Sequence, residues 1–520
     1  MAIRSTGVHH EDDLTHLQIA RWVWQYPAYL LDDWGRPGFT ALYATPAGLG
    51  WLPARLFSGI VTAATAWLAY LIAVHLRVRP AAFVPLFLWV QPLTFTLSYT
   101  TLTETPLAFY LTLATWLYIR GRFAWSAAVI SLCAVTRHEA GLFLVLWLAA
   151  LLYRARPARE WLWVFWAPLL HNVLAFALLH ELPLHLLLHP QPTAEYGHGT
   201  PLTMFALWPV AAGLGPLLLA FIGAPAIARQ RGGLLWLSSG AAYFLAHSVL
   251  YGFGLFASGG YARFLVPLGP LVAVCAAQAL SQYRRAWRHR RWHATTPRGS
   301  PLVGMSATAL GFVVTLWLAA ALELERLRPD LITNNLTWSI PVLHAGALLL
   351  TLLYLGALAN SWRPRTTRTM LAATVVPATA LAVTLAQPLI VSSIPRPFRQ
   401  CAPLLLTDRE RAYRTAVDMA LPLAADGTRV FSASPWIDEF LHRVRPPLGT
   451  DELDLRWKAS RPGDVLIWDA RDAPSPRHRL PLDRLMADPG IVELWRSTGG
   501  AYDPVYCAVF VKKPQREPPR

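Results

Sequence analysis

Apolar residues recur along this chain in runs of roughly 20, the length that crosses the hydrocarbon of a bilayer, each closed by Arg, Pro or Gly. Such runs cover residues 53–76, 81–98, 104–120, 123–136, 137–153, 160–180, 204–228, 233–253, 261–282, 301–322, 338–360 and 369–392. The pattern predicts about twelve membrane-spanning helices. Its least regular stretch is 123–153, where two short runs meet at Thr136-Arg137-His138-Glu139.

Basic residues in the connecting loops alternate. Arg77 and Arg79, Arg120 and Arg122, Arg154, Arg156 and Arg159, Arg229 and Arg231, the run from Arg284 to Arg298, and Arg363, Arg365 and Arg368 occupy every second loop. By the positive-inside rule those loops are cytoplasmic. The loops between them, 181–203 and 254–260 included, are nearly free of Lys and Arg, so they face outward together with both ends of the chain. Merging 123–153 into one helix would invert every later loop and break this alternation, which favours two spans there.

Outside the spans the pattern changes. Leu14, Leu17, Ile19, Ala20, Trp22 and Val23 form one face of a short interfacial helix, with Trp suited to the headgroup zone, and the turn chemistry of Asp32 to Gly38 ends it. Beyond 393, strand-like runs at 429–432, 464–468 and 505–511 alternate with helical patterns at 409–421, 437–443 and 482–486. That is a small α/β arrangement of about 125 residues. The expected fold is therefore an α-helical polytopic membrane protein with three parts: an exported acidic loop with an interfacial helix (1–52), the transmembrane domain (53–392) and an exported soluble α/β domain (393–520).

Composition agrees: 54% of the 520 residues are hydrophobic and 15% charged, which excludes an ordinary soluble enzyme. The net charge of +16 sits mostly in the cytoplasmic loops. The Arg-rich, aromatic stretch from Tyr283 to His293 reads as a topology anchor on anionic lipid, not as a nucleic-acid site. The four cysteines form no CxxC pair; Cys401 and Cys507 flank the exported domain, where they either pair or stay free. Met1 to Asp13 is polar and carries no secretory signal, so the first span inserts with its N-terminus outside or follows a further helix. Abundant Arg and Trp with little Lys fits a GC-rich bacterial genome and hence the plasma (inner) membrane.

The candidate chemistry lies on the outward side. Glu11, Asp12 and Asp13 form an acidic triplet at the bilayer surface. Glu104 starts the third span, where a helix-start acid behind a Thr103 cap is the alternative reading. Arg137 and Glu139 lie at the outer end of the fifth span, two residues apart, suited either to a local salt bridge or to a functional role at a depth where charge is costly. Tyr261 and Arg263 precede the ninth span; an arginine fork suits a phosphate, or the side chain simply snorkels to the interface. His9, His10, His16, His185, His189 and His198 add donors for a divalent metal, but their spacing matches no metal motif.

Taken in order, His9-His10-Glu11-Asp12-Asp13 with Ile19-Ala20-Arg21, Trp34-Gly35-Arg36-Pro37, Thr103-Glu104-Thr105-Pro106, Thr136 to Gly141 and Gly260-Tyr261-Ala262-Arg263-Phe264 resemble the GT-C superfamily of polytopic glycosyltransferases. The resemblance implies a membrane glycosyltransferase that moves a sugar, a hexose such as mannose, from a polyprenyl-phosphate donor to a hydroxyl on a glycan, lipid or protein acceptor. It implies no organic cofactor. It nominates Asp12 or Asp13 as base, Glu104 as second acid, and Arg137 or Arg263 for the donor phosphate, with Glu11, Glu139 and Tyr261 as substrate-binding neighbours. That superfamily has a helix before the acidic loop; no such helix precedes it here. The competing class is a transporter or flippase, for which inverted repeats and midplane polar groups are expected; the sequence shows neither.

Overall fold

The computed structural model describes residues 1–181, 197–256, 258–290, 403–445, 452–499 and 504–513. They fall into two compact units, one built from Met1–Leu30, Tyr43–Trp51 and Pro403–Arg520, the other from Leu31–Leu42 and Leu52–Ala402. Residues 1–30 and 43–51 of the expected first part thus group with the C-terminal region, and 31–42 with the helical unit. The segment 1–52 is not a separate loop, because its first helix supplies core residues to the C-terminal region.

Along the chain the described helices run α1 (Glu11–Trp22), α2 (Pro37–Gly48), α3 (Trp51–His75), α4 (Phe83–Trp89), α5 (Pro92–Leu97), α6 (Glu104–Ile119), α7 (Phe123–Thr136) and α8 (Gly141–Tyr153). They continue with α9 (Ala158–Leu179), α10 (Thr203–Ala212), α11 (Leu214–Ala228), α12 (Gly233–Gly252) and α13 (Gly269–Arg290). The C-terminal region adds α14 (Asp408–Ala420), α15 (Pro435–Phe440), α16 (Leu453–Lys458) and α17 (Leu482–Ala487), with strands β1 (Val430–Phe431), β2 (Val465–Asp469), β3 (Ile491–Arg496) and β4 (Cys507–Lys512).

Among the described residues, α3, α9, α12 and the stretch Ala262–Gln282 are long and apolar enough to cross a membrane, and three shorter apolar helices accompany them. Along α9, Leu169, Leu170, Val173 and Phe176 stay exposed, as a lipid-facing surface requires. The expected spans 301–322, 338–360 and 369–392 lie outside the described residues.

Two expected spans are broken, each for a local reason. In 81–98, Pro92 cannot donate a backbone hydrogen bond, so α4 ends and α5 begins with Pro at its first position. In 204–228, Gly213 takes φ +82, a left-handed value that interrupts the helix and separates α10 from α11. The junction at Arg137 is likewise real: its backbone is extended (φ −150, ψ 133), and a 3-10 turn, His138–Ala140, leads into α8. Close helix crossing is visible where α11 meets α13. A Cβ on Gly223 would lie 1.9 Å from the Cys275 carbonyl oxygen, so only glycine permits that approach.

In the other unit, the sheet order is β1-β2-β4-β3, with β1 parallel to β2 and the remaining pairs antiparallel. All five residues of β2 are buried. Because side chains alternate across a strand, Leu466 and Trp468 join Phe431, Trp457, Leu480 and Phe510 on one face. Val465 and Ile467 join Tyr413, Val417, Trp436, Val509 and Leu14 on the other. Leu14 comes from α1 and is fully buried, as is Leu17. The expected interfacial helix is therefore a core helix of this unit. A capping box between Thr407 and Glu410 starts α14. Cys507 is a free, buried thiol on β4 that burial pushes up to about 12, whereas Cys401 lies outside the described residues.

Candidate active site

In the helical unit, the breaks that interrupt apolar runs bring charged side chains together. Glu104, in the first turn of α6, is fully buried, and its Oε1 accepts a 2.9 Å hydrogen bond from Arg137 Nη1. Thr103 makes no capping hydrogen bond; its hydroxyl instead accepts from the same Nη1 at 3.3 Å. The extended backbone at Arg137 lets its Nη2 reach back to Glu139 Oε1 at 3.2 Å. Arg263, from the 3-10 turn Ala262–Leu268, places its Nε 3.8 Å from Glu104 Oε1. Arg137 stacks 4.2 Å over the Phe264 ring, while Arg263 lies 4.9 Å over the ring of Tyr261.

Two arginines thus face two carboxylates in a site whose charged groups are nearly all removed from solvent. Such pairing is what allows guanidinium groups to persist where desolvation is expensive. One oxygen of Glu104, one of Glu139 and the Nε of Arg137 have no hydrogen-bond partner among the described residues. Beside them on α12, His247 is fully buried, stacks 5.0 Å from Phe264 and meets Tyr243 at 4.6 Å. Neither ring nitrogen of His247 nor the Tyr243 hydroxyl has a partner among the described residues. Buried polar groups without partners, gathered in one place, make it the candidate site for a polar ligand.

The same unit contains an acid the sequence reading treated as turn chemistry. Asp33 meets His171 of α9 at 3.2 Å. Burial alone would raise its pKa, but the hydrogen bond and charge of His171, with His138 and Arg36, hold it below the usual carboxylate range. Its neighbour Asp32 is pushed up by burial, against the hydrogen bond it accepts from the Gly35 backbone N–H.

The acidic triplet lies in the other unit, in the first turn of α1. Glu11 is an ion-pair partner of Arg471 at 2.6 Å. Burial nonetheless outweighs that attraction, and with Asp472, Asp12 and Glu410 nearby the carboxyl is pushed up to about 7. Asp13 is fully buried, and its Oδ2 accepts from the His9 backbone N–H at 3.3 Å. Asp12 keeps 22% of its side-chain surface and lies 3.3 Å from His10 Nδ1. The structure thus places the sequence candidates in two groups: Glu104, Arg137, Glu139, Tyr261 and Arg263 in the helical unit, and Glu11, Asp12 and Asp13 in the unit that contains the sheet.

No protein-family model matches the chain, and no curated protein does. Solved structures do. The crystal structure of ArnT from Cupriavidus metallidurans in the apo state superposes with a TM-score of 0.57 at 13% identity, over 98% of this chain and 94% of that one. The structure of the same protein bound to undecaprenyl phosphate gives 0.56 at 14% identity, over 99% and 96%. The fold resembles that of ArnT. With its apolar helices, that likeness marks a multi-pass membrane protein, and at this identity it is a likeness of fold alone.

The helical unit brings together residues that lie far apart in the sequence. His171, Tyr243 and His247 escaped the sequence reading because each sits in an apolar run, where a lone polar residue is ordinarily a core group. They lie inside the runs 160–180 and 233–253, which carry none of Glu104, Arg137 and Arg263, so hydropathy and spacing offer no signal for them. Among the described residues, no three His, Cys, Asp or Glu side chains gather in a way that would hold a metal ion; His185 and His189 lie outside the described residues.

Proposed function

We propose that this protein is a membrane glycosyltransferase that moves a sugar from a polyprenyl-phosphate donor to an acceptor hydroxyl. The observation that carries the reading is the buried cluster of Arg137, Arg263, Glu104 and Glu139, at residues where the GT-C resemblance expects a lipid phosphate. The fold that holds it resembles ArnT throughout, and ArnT has been seen with undecaprenyl phosphate bound.

In this reading the reaction is a single displacement at the anomeric carbon. Asp12 takes the proton of the attacking hydroxyl, as a base with accessible surface. Asp13 holds the turn that presents it, through the His9 N–H. Arg263 and Arg137 stabilise the charge that develops on the departing phosphate, which needs fixed donors more than it needs a cofactor. Glu104 and Glu139 keep both guanidinium groups oriented while no phosphate is bound. The sugar is a hexose, with mannose the first to test, and the acceptor is a glycan, lipid or protein hydroxyl on the outer face of the inner membrane.

The test is sugar release from a panel of radiolabelled polyprenyl-phosphate sugars by purified protein in lipid. Wild type is compared with Asp12→Asn, Arg263→Gln and Asp33→Asn. Turnover of one donor, lost in Asp12→Asn and Arg263→Gln with folding retained, supports the assignment. Loss in Asp33→Asn with Asp12→Asn active would move the base to Asp33, and no turnover with any donor would defeat the reading.

A further inference from the structure

The unit that contains the sheet carries a basic cleft that the proposed transfer chemistry does not use. It has a volume of about 650 Å³, and its walls include Arg429, Val430, Phe431, Leu441, Arg443 and Arg456. That size falls in the range of small-molecule sites. Among the described residues that line it there are three arginines and no carboxylate.

The arginines are held in place from behind. Arg429 lies at the start of β1, and its Nη2 is anchored by Asp464 Oδ2 at 2.8 Å. Arg443 follows α15, where His442 takes the left-handed backbone (φ 50) that ends the helix. The turn sends Arg443 Nη1 to within 3.4 Å of Asp438 Oδ1, a carboxylate that also receives a hydrogen bond from Arg445 Nε. Arg429 and Arg456 both stack on Phe431, at 5.2 and 5.7 Å from its ring centre. Burial lowers the pKa of Arg443, and despite Asp438 the charges of Arg445 and Arg456 lower it further.

We propose that this cleft binds the oxyanion of an acidic saccharide, a carboxylate or a phosphate carried on a sugar ring. Guanidinium forks match both oxyanions in geometry. Val430 and Leu441 offer an apolar wall for the C–H face of a sugar, and the volume exceeds what a bare ion needs. Recognition of the anion stands on this geometry alone. Naming its carrier as a saccharide, and placing that saccharide on the acceptor side, rests on the function proposed above.

The experiment is calorimetric titration of the full-length protein in lipid nanodiscs with glucuronate, glucose 1-phosphate, methyl glucoside and inorganic phosphate. No transfer activity is needed, so failure of the binding proposal and failure of the transferase reading can be told apart. Saturable binding of glucuronate or glucose 1-phosphate is expected, weakened about tenfold or more in Arg456→Gln and in Arg429→Gln, since a charge-assisted hydrogen bond is lost in each. Arg456→Lys should fall between, because it keeps the charge and loses the fork. Which of the two acids binds tighter identifies the oxyanion. No saturable binding of either, equal binding in all variants, equal binding of methyl glucoside, or inorganic phosphate binding as tightly as the sugar phosphate would each overturn the proposal.

Discussion

The attachment of α1 to the C-terminal region predicts a local effect of breaking one ion pair. Arg21 gives Glu439 three hydrogen bonds of 3.1 Å, and the two side chains keep only 26% and 11% of their surface. An exposed pair would contribute about 0–1 kcal/mol, and breaking a buried one costs about 3–5 kcal/mol. This half-buried pair falls between, at about 2 kcal/mol. The Gln18 side chain, which donates to the Pro435 carbonyl at 2.8 Å, and the buried Leu14 remain in Glu439→Gln, so α1 should loosen without the unit unfolding. Its amides would then open more often, and 2 kcal/mol corresponds to about 30-fold faster hydrogen exchange where exchange follows the opening equilibrium. The measurement is exchange detected by mass spectrometry on peptides covering residues 8–24, with the β2 peptides as internal reference. Arg21→Gln should match Glu439→Gln, and the double variant should be far from additive, because both remove one interaction. Unchanged α1 exchange in the single variants, or strictly additive effects, would refute the claim that this pair fastens the helix.

Further outcomes follow from other features. Leu14→Ala removes a fully buried side chain from the core beside Tyr413 and Trp436 and should cost about 2–5 kcal/mol, read as faster exchange across α14 as well as α1. Glu104→Gln leaves Arg137 with Glu139 as its one charged partner among the described residues; thermal unfolding in detergent should drop by several degrees, and more in Glu104→Ala, which also loses the acceptor. Gly223→Val should prevent the close crossing of α11 and α13, since its Cβ alone would meet the Cys275 carbonyl at 1.9 Å; a lower yield of folded protein in detergent checks this. Glu11 is raised to about 7 and Asp469 lies well above its ordinary value, both chiefly through burial. The folded state therefore holds protons that the unfolded state releases, so stability is fullest below the ordinary carboxylate range and falls as pH rises towards and through 7. Exchange in α1 should accelerate between pH 5 and 8, after correction for intrinsic rates, and less steeply in Glu11→Gln.

Much of the helical unit was legible because apolar run length and loop charge are set by the bilayer and survive without tertiary information. Even the junction at Arg137 could be read from loop charge. What escaped were breaks inside an apolar run: Pro92 and Gly213 are single residues whose effect on the backbone does not alter hydropathy. The α/β character of the C-terminal region was visible in its alternation, but its partner was not. Leu14 and Leu17 read as a membrane-facing stripe because periodicity shows that a face is apolar and says nothing of what covers it. Asp33 was passed over for a similar reason: beside Gly35 and Pro37 it satisfies turn rules, and only the fold brings His171 to it.

The meeting of chain ends in one core has a consequence for how this protein is made. The Thr6 and Gly7 backbone N–H groups both donate to the Leu404 carbonyl, and the Ser5 hydroxyl accepts from the Leu404 N–H across 399 residues of sequence. A ribosome releases α1 first and the strands that receive Leu14 last. During synthesis α1 must therefore wait, without the partners of its buried face, until every intervening helix has been inserted. The helix bearing Asp12 therefore acquires the partners of its buried face only after the strands that receive Leu14 have been made.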